Sequence, residues 1–118
     1  MSRQLTFGRL RSTNELRGIT AFHAIDEWSP SDWATAMAGE CGEACNEVKK
    51  LRRLQTCSSW NTPEDGDSAV LVASLAKELA DVVIYADLLA ARMGINLGDA
   101  VVSKFNEVSA RVHSDVKL

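Results

Sequence analysis

Proline is scarce: Pro30 and Pro63 are the only two in 118 residues. Proline removes a backbone donor and clashes with the preceding turn, so its scarcity leaves room for long helices. No apolar run approaches the ~20 residues that a membrane-spanning helix needs, which excludes that class and any membrane partner of that kind. The opening residues, MSRQLTFGRLRS, hold no apolar core ahead of a cleavage site. A secretory leader is therefore not expected, and the protein is read as cytoplasmic, in the host cytoplasm if it is phage-encoded. An excess of positive charge is missing too. Lys and Arg number 13 against 16 Asp and Glu, a net charge of −3, so nothing points to a nucleic-acid partner. Cysteine is limited to Cys41, Cys45 and Cys57. The number is odd and the spacing lacks the CxxC pairs of a zinc site, so these are read as reduced, partly buried thiols.

What remains is rich in helix formers. The length fits a single domain spanning 1–118. Four helices account for nearly all of it. The first runs roughly from Thr6 to Phe22, with Leu10, Leu16 and Ile19 as apolar anchors. The second opens at Ser29 and Pro30, a cap followed by a residue suited to the first helical position, with Asp32 as the acid of a capping box. It runs to about Leu54, where QTCSSWNTPEDGDS breaks it with proline, glycine and small polar residues. The third helix spans about Ser68 to Met93, and Gly94 with Ile95 makes a left-handed stop. Its second half, LADVVIYADLLAA, is apolar almost all round, which calls for burial on several sides. One short chain can hardly surround it, so it is read as a subunit interface. Asn96 and Asp99 cap a fourth helix whose apolar stripe is Leu97, Val101, Phe105, Val108 and Val112, confined to about 80° of arc. The expected fold class is therefore all-α.

Against this background GECGEACNEVKK, residues 39–50, is odd. Two glycines weaken a helix interior by about 0.5–1 kcal/mol each. With Glu40 set at 0° on a helical wheel, Glu43 falls at about 300° and Glu47 at about 340°, so all three share a face. Glu78 and Asp81, also three apart, lie in the most apolar helix. Two unit charges 4 Å apart repel by about 4 kcal/mol at an effective dielectric of 20. Lys49 and Lys50 are too few to balance five acids. A hard divalent cation does balance them, because Mg²⁺ or Mn²⁺ prefers carboxylate and water oxygens. Two antiparallel helices, each giving an E-x-x-[ED] pair, can wrap such an ion. Gly39 and Gly42 would then let a neighbouring helix or a ligand approach closely. A ferritin-like di-iron centre is rejected, since it needs an E-x-x-H motif on two helices and His23 and His113 follow no such spacing.

GECGEACNEVKKL followed by KELADVVIYADLLAARMGINLGDAVVSKFNEVSARVHS resembles the MazG-like, all-α nucleoside triphosphate pyrophosphohydrolases. The likeness covers roughly Trp33 to Ser114. The family pattern of E-x-x-E, a spacer, then E-x-x-D falls here on Glu40, Glu43, Glu78 and Asp81. The chain looks more like the short phage and bacterial members, the MazZ-like group among them, than the large two-domain ones; the phosphoribosyl-ATP pyrophosphohydrolases of the same superfamily stay open. The resemblance implies a four-helix MazG-like bundle assembled as a homodimer or homotetramer. It implies Mg²⁺, with Mn²⁺ able to substitute, held by Glu40, Glu43, Glu78 and Asp81. It implies hydrolysis between the α and β phosphates of a (d)NTP, dGTP being one candidate, to a monophosphate and pyrophosphate. Tyr85 matches an aromatic position near the nucleotide, and Lys104, Asn106 and Arg111 match polar positions that approach phosphates. The linker before Ser68 is longer than in compact relatives, and the N-terminal third matches weakly.

The residues suggest roles within that chemistry. Glu43 or Glu47 would orient or deprotonate the attacking water, with Glu43 favoured. Lys50 and Arg53, one and two turns past Glu47, could hold the leaving pyrophosphate. Trp28 and Trp60 offer aromatic faces on which a base can stack, whereas Trp33 reads as a core anchor. Asn14 and Arg17 are a further base-reading pair on the first helix. His23 and His113 are read as non-catalytic. The alternative from another class is a non-catalytic interaction module that uses the apolar third helix, its acids serving solubility.

Overall fold

The computed structural model describes residues 4–56 and 67–118. Cys57 and Trp60 lie outside the described residues. Four α-helices follow one another: α1 (Phe7–Ala21), α2 (Pro30–Thr56), α3 (Ser68–Arg92) and α4 (Leu97–Arg111), with a short 3-10 turn at Ile25–Glu27. No strand occurs among the described residues, and no helix there is long and apolar enough to cross a membrane.

Local chemistry explains where these helices begin and end. The Thr6 hydroxyl accepts from the Arg9 amide at 3.0 Å and opens α1. Pro30 is the first residue of α2, with Asp32 in the first turn, where an acid favours the positive end of the helix dipole. The Asp67 carboxylate accepts from the Val70 amide at 2.9 Å and caps α3. Asn96 does the same for α4 by accepting from Asp99 at 3.0 Å. At the end of α3, Gly94 takes a φ of +68°. The Ile95 amide reaches back to the Ala90 carbonyl at 2.8 Å and the Gly94 amide to Ala91 at 3.1 Å, the bond pair of a Schellman stop. The end of α4 repeats it without glycine. His113 occupies the left-handed region at φ 58°, and the Ser114 amide bonds to the Ser109 carbonyl at 2.8 Å. His113 thus has a backbone role at a helix end.

Contacts divide the chain into two units, Met1–Pro30 with Asp87–Leu118, and Ser31–Ala86. In the first unit the most buried side chain is an acid. Asp87 is 1% exposed. Its two oxygens accept from Arg11 Nε and from Asn14 Nδ2, each at 3.0 Å. Arg11 also donates through Nη2 to the Ile95 carbonyl at 2.8 Å. A buried carboxylate is tolerable only when paired and hydrogen-bonded, and here both oxygens are served. The network ties α1 to the end of α3 and to the turn that follows. Gly98 permits a close approach in the same unit: a Cβ there would stand 3.2 Å from Phe7 Cβ.

This arrangement corrects the expectation for α1. Leu16 and Ile19 are 64% and 70% exposed, and the buried residue of the helix is Asn14. Asn14 is buried with its Nδ2 donating to Asp87, and Arg17 is exposed. The stripe of α4 is also open. Val101, Phe105 and Val112 are exposed and line a groove of about 520 Å³ with Lys104, Val108 and Val116. The tail returns to α4 through Asn106, whose Oδ1 accepts from the Leu118 amide at 3.0 Å and whose Nδ2 donates to the Leu118 carbonyl at 3.2 Å.

In the second unit Trp33, Ala44 and Leu71 are buried. The Trp33 and Tyr85 rings lie 6.3 Å apart, tilted by 48°, a favourable aromatic geometry. Trp33 is thus the core anchor expected of it. Trp33 on α2 meets Tyr85 on α3, and Glu40, later on α2, meets Glu78 and Asp81, earlier on α3, so these two segments run antiparallel. The outer side of α3 stays uncovered in the single chain, with Val72 and Leu79 54% and 52% exposed.

Asp87→Asn is expected to lower unfolding stability by about 2–3 kcal/mol, because a charge-assisted bond and its buried partners lose their match. Urea denaturation monitored by circular dichroism measures it; a change below about 0.5 kcal/mol would remove the network from its structural role.

Candidate metal centre

Glu40 projects from α2, and Glu78 and Asp81 from α3, with a spacing of three that keeps the latter two on one side. All three side chains are half-buried, and one carboxylate oxygen from each lies within 4.8 Å of the others. The antiparallel pairing of α2 and α3 produces the meeting: the register that sets Trp33 against Tyr85 brings Glu40 level with the two acids one to two turns earlier on α3.

The electrostatic consequence falls on Glu78. Its carboxyl is pushed above the ordinary range, first by burial and then by the negative charges of Glu40, Glu43, Asp81 and Glu47. Glu43 is exposed and outside the three-oxygen group, yet close enough for its charge to be felt. Glu47 is answered by a cation of its own: Lys50 Nζ stands 3.3 Å from Glu47 Oε1, with the Glu47 side chain only 12% exposed. The five acids thus separate into three that converge, one beside them in solvent, and one paired.

Such a group could hold a metal ion. Opposite ligand oxygens around Mg²⁺ stand about 4.2 Å apart, twice the 2.0–2.1 Å bond length. Adjacent ligand oxygens stand about 3 Å apart, so three oxygens within 4.8 Å of one another would draw closer to share one ion. The donor set is all oxygen, which disfavours soft ions.

The other candidate residues distribute as follows. Arg53 and Tyr85 are half-buried in the same unit as the carboxylates, Tyr85 beside Trp33. Lys104, Asn106, Arg111 and Trp28 belong to the other unit. There Lys104 pairs with Glu107 at 2.9 Å, Asn106 holds Leu118, and Arg111 is exposed in the last turn of α4. The Trp28 ring lies 4.8 Å from that of His23, and its carbonyl accepts from Arg92 Nε at 2.9 Å. Cys41 and Cys45 are free and exposed, not partly buried as expected. The helical period puts Lys50 on the face of Glu43 and Glu47, and the structure pairs it with Glu47 at i, i+3 spacing.

Gly39 and Gly42 receive a different account. A Cβ at either position would meet nothing within 4 Å, so among the described residues no neighbouring helix packs there.

Set against models of known protein families and against curated proteins, the chain matches none.

Two outcomes test this description. Gly39→Ala and Gly42→Ala should each raise thermal stability, by about 0.5–1 kcal/mol, because helix propensity improves without a clash; a loss in calorimetry would mean that the added methyl meets something. The second concerns pH in metal-free protein. Folded Glu78 holds its proton more tightly than the unfolded chain does. Its contribution is therefore complete below the ordinary glutamate range and disappears as pH rises through the elevated folded value. The urea midpoint measured in chelator should carry this increment on acidification, and Glu78→Gln should erase it.

Proposed function

We propose that this chain is a divalent-cation-dependent hydrolase that cleaves nucleoside triphosphates between the α and β phosphates, releasing a monophosphate and pyrophosphate. One observation carries the reading: Glu40 from one helix and Glu78 with Asp81 from an antiparallel one present three oxygens within 4.8 Å. Gathering these carboxylates is costly without a cation, and the raised Glu78 carboxyl reflects that cost. The likeness of residues 33–114 to the MazG-like pyrophosphohydrolases supplies the substrate class, with dGTP among the candidates.

Glu40, Glu78 and Asp81 would hold Mg²⁺ or Mn²⁺, with Glu43 able to join them. The bound cation supplies Lewis acidity toward phosphate oxygens. The chain's own residues have separate tasks. Glu43, exposed beside the group, accepts the proton of the attacking water, and Glu47 is held in direction by Lys50. Lys50 and Arg53 neutralise the leaving pyrophosphate. Tyr85, braced by Trp33, gives the base an aromatic face. Lys104, Asn106, Arg111, Trp28 and Trp60 enter through the likeness or their residue type alone. The uncovered apolar positions of α3, Val72, Leu79 and Val83, support assembly as a homodimer or homotetramer, in which each chain supplies a MazG-like four-helix bundle. Those same positions also support the second reading, a non-catalytic interaction module.

Incubation with each NTP and dNTP in Mg²⁺, with products separated by ion-exchange chromatography, should yield monophosphate and pyrophosphate from at least one. Asp81→Asn and Glu43→Gln should each lower kcat by about 10²–10³-fold, the usual loss for one electrostatic group at a reacting centre, with far-ultraviolet circular dichroism unchanged. Release of orthophosphate alone, or no turnover with any nucleotide, overturns the proposal. Independently of turnover, Mn²⁺ at about 100 times its Kd should add about 2.7 kcal/mol to the stability of the native state, a rise of roughly 10 °C in Tm. Glu40→Gln and Asp81→Asn should remove most of that rise. A Tm indifferent to Mn²⁺ would favour the interaction module.

A further inference from the structure

We draw no further inference here: the strongest candidate, the apolar groove along α4 and the returning tail lined by Val101, Phe105, Val108, Val112 and Val116, is an unpartnered face and nothing in the structure shows what covers it.

Discussion

Like charges brought together out of water must be neutralised, protonated or pulled apart, and the second unit is organised around that constraint. Glu78 bears it most directly, because it is half-buried and surrounded by the charges of four other acids. A helix can relieve such crowding by turning acids outward, as happens for Glu43, or by pairing them along its own surface, as happens for Glu47 with Lys50. Neither route serves Glu40, Glu78 and Asp81, whose oxygens meet across two helices. Their proximity gives the proposed cation its reason, since a divalent ion converts a mutual repulsion into shared attraction.

The first unit meets the same constraint by other means. Asp87 lies deeper than any of the clustered acids, yet it is stable in place because Arg11 and Asn14 serve one oxygen each. Arg11 is tied in turn to the Ile95 carbonyl, just beyond the glycine stop of α3. A fully satisfied polar group fixes orientation more sharply than apolar packing does. The two units thus treat their acids differently: buried Asp87 is met by protein donors, while half-buried Glu40, Glu78 and Asp81 bring their oxygens near one another. The second state is the one the proposed cation would complete.

Much of the remaining apolar surface is unspent within one chain. Val72, Leu79 and Val83 on α3, and Val101, Phe105 and Val112 on α4, stay exposed. Large apolar side chains in such stripes are costly to leave in water, at about 25 cal/mol per Å², and contiguous patches of this kind mark association surfaces. This is the physical support for the proposed oligomer, and it is equally the feature an interaction module would use.

The sequence by itself determined the helices. Their ends fall within two residues of the expected ones, because caps, a proline at a first turn and a glycine stop act over three or four residues and need no distant partner. It also determined which acids share a helix side, since Glu40 with Glu43 and Glu78 with Asp81 follow from helical period alone. Tertiary structure decided the rest. Only the antiparallel register of α2 and α3 could select Glu40, Glu78 and Asp81 from five acids and leave Glu43 outside. Only packing could show that α1 buries Asn14 rather than Leu16 or Ile19, because the acid that Asn14 serves lies 73 residues away in the chain. Periodicity reports which residues share a face; which face is covered, and by what, depends on partners that the period does not encode.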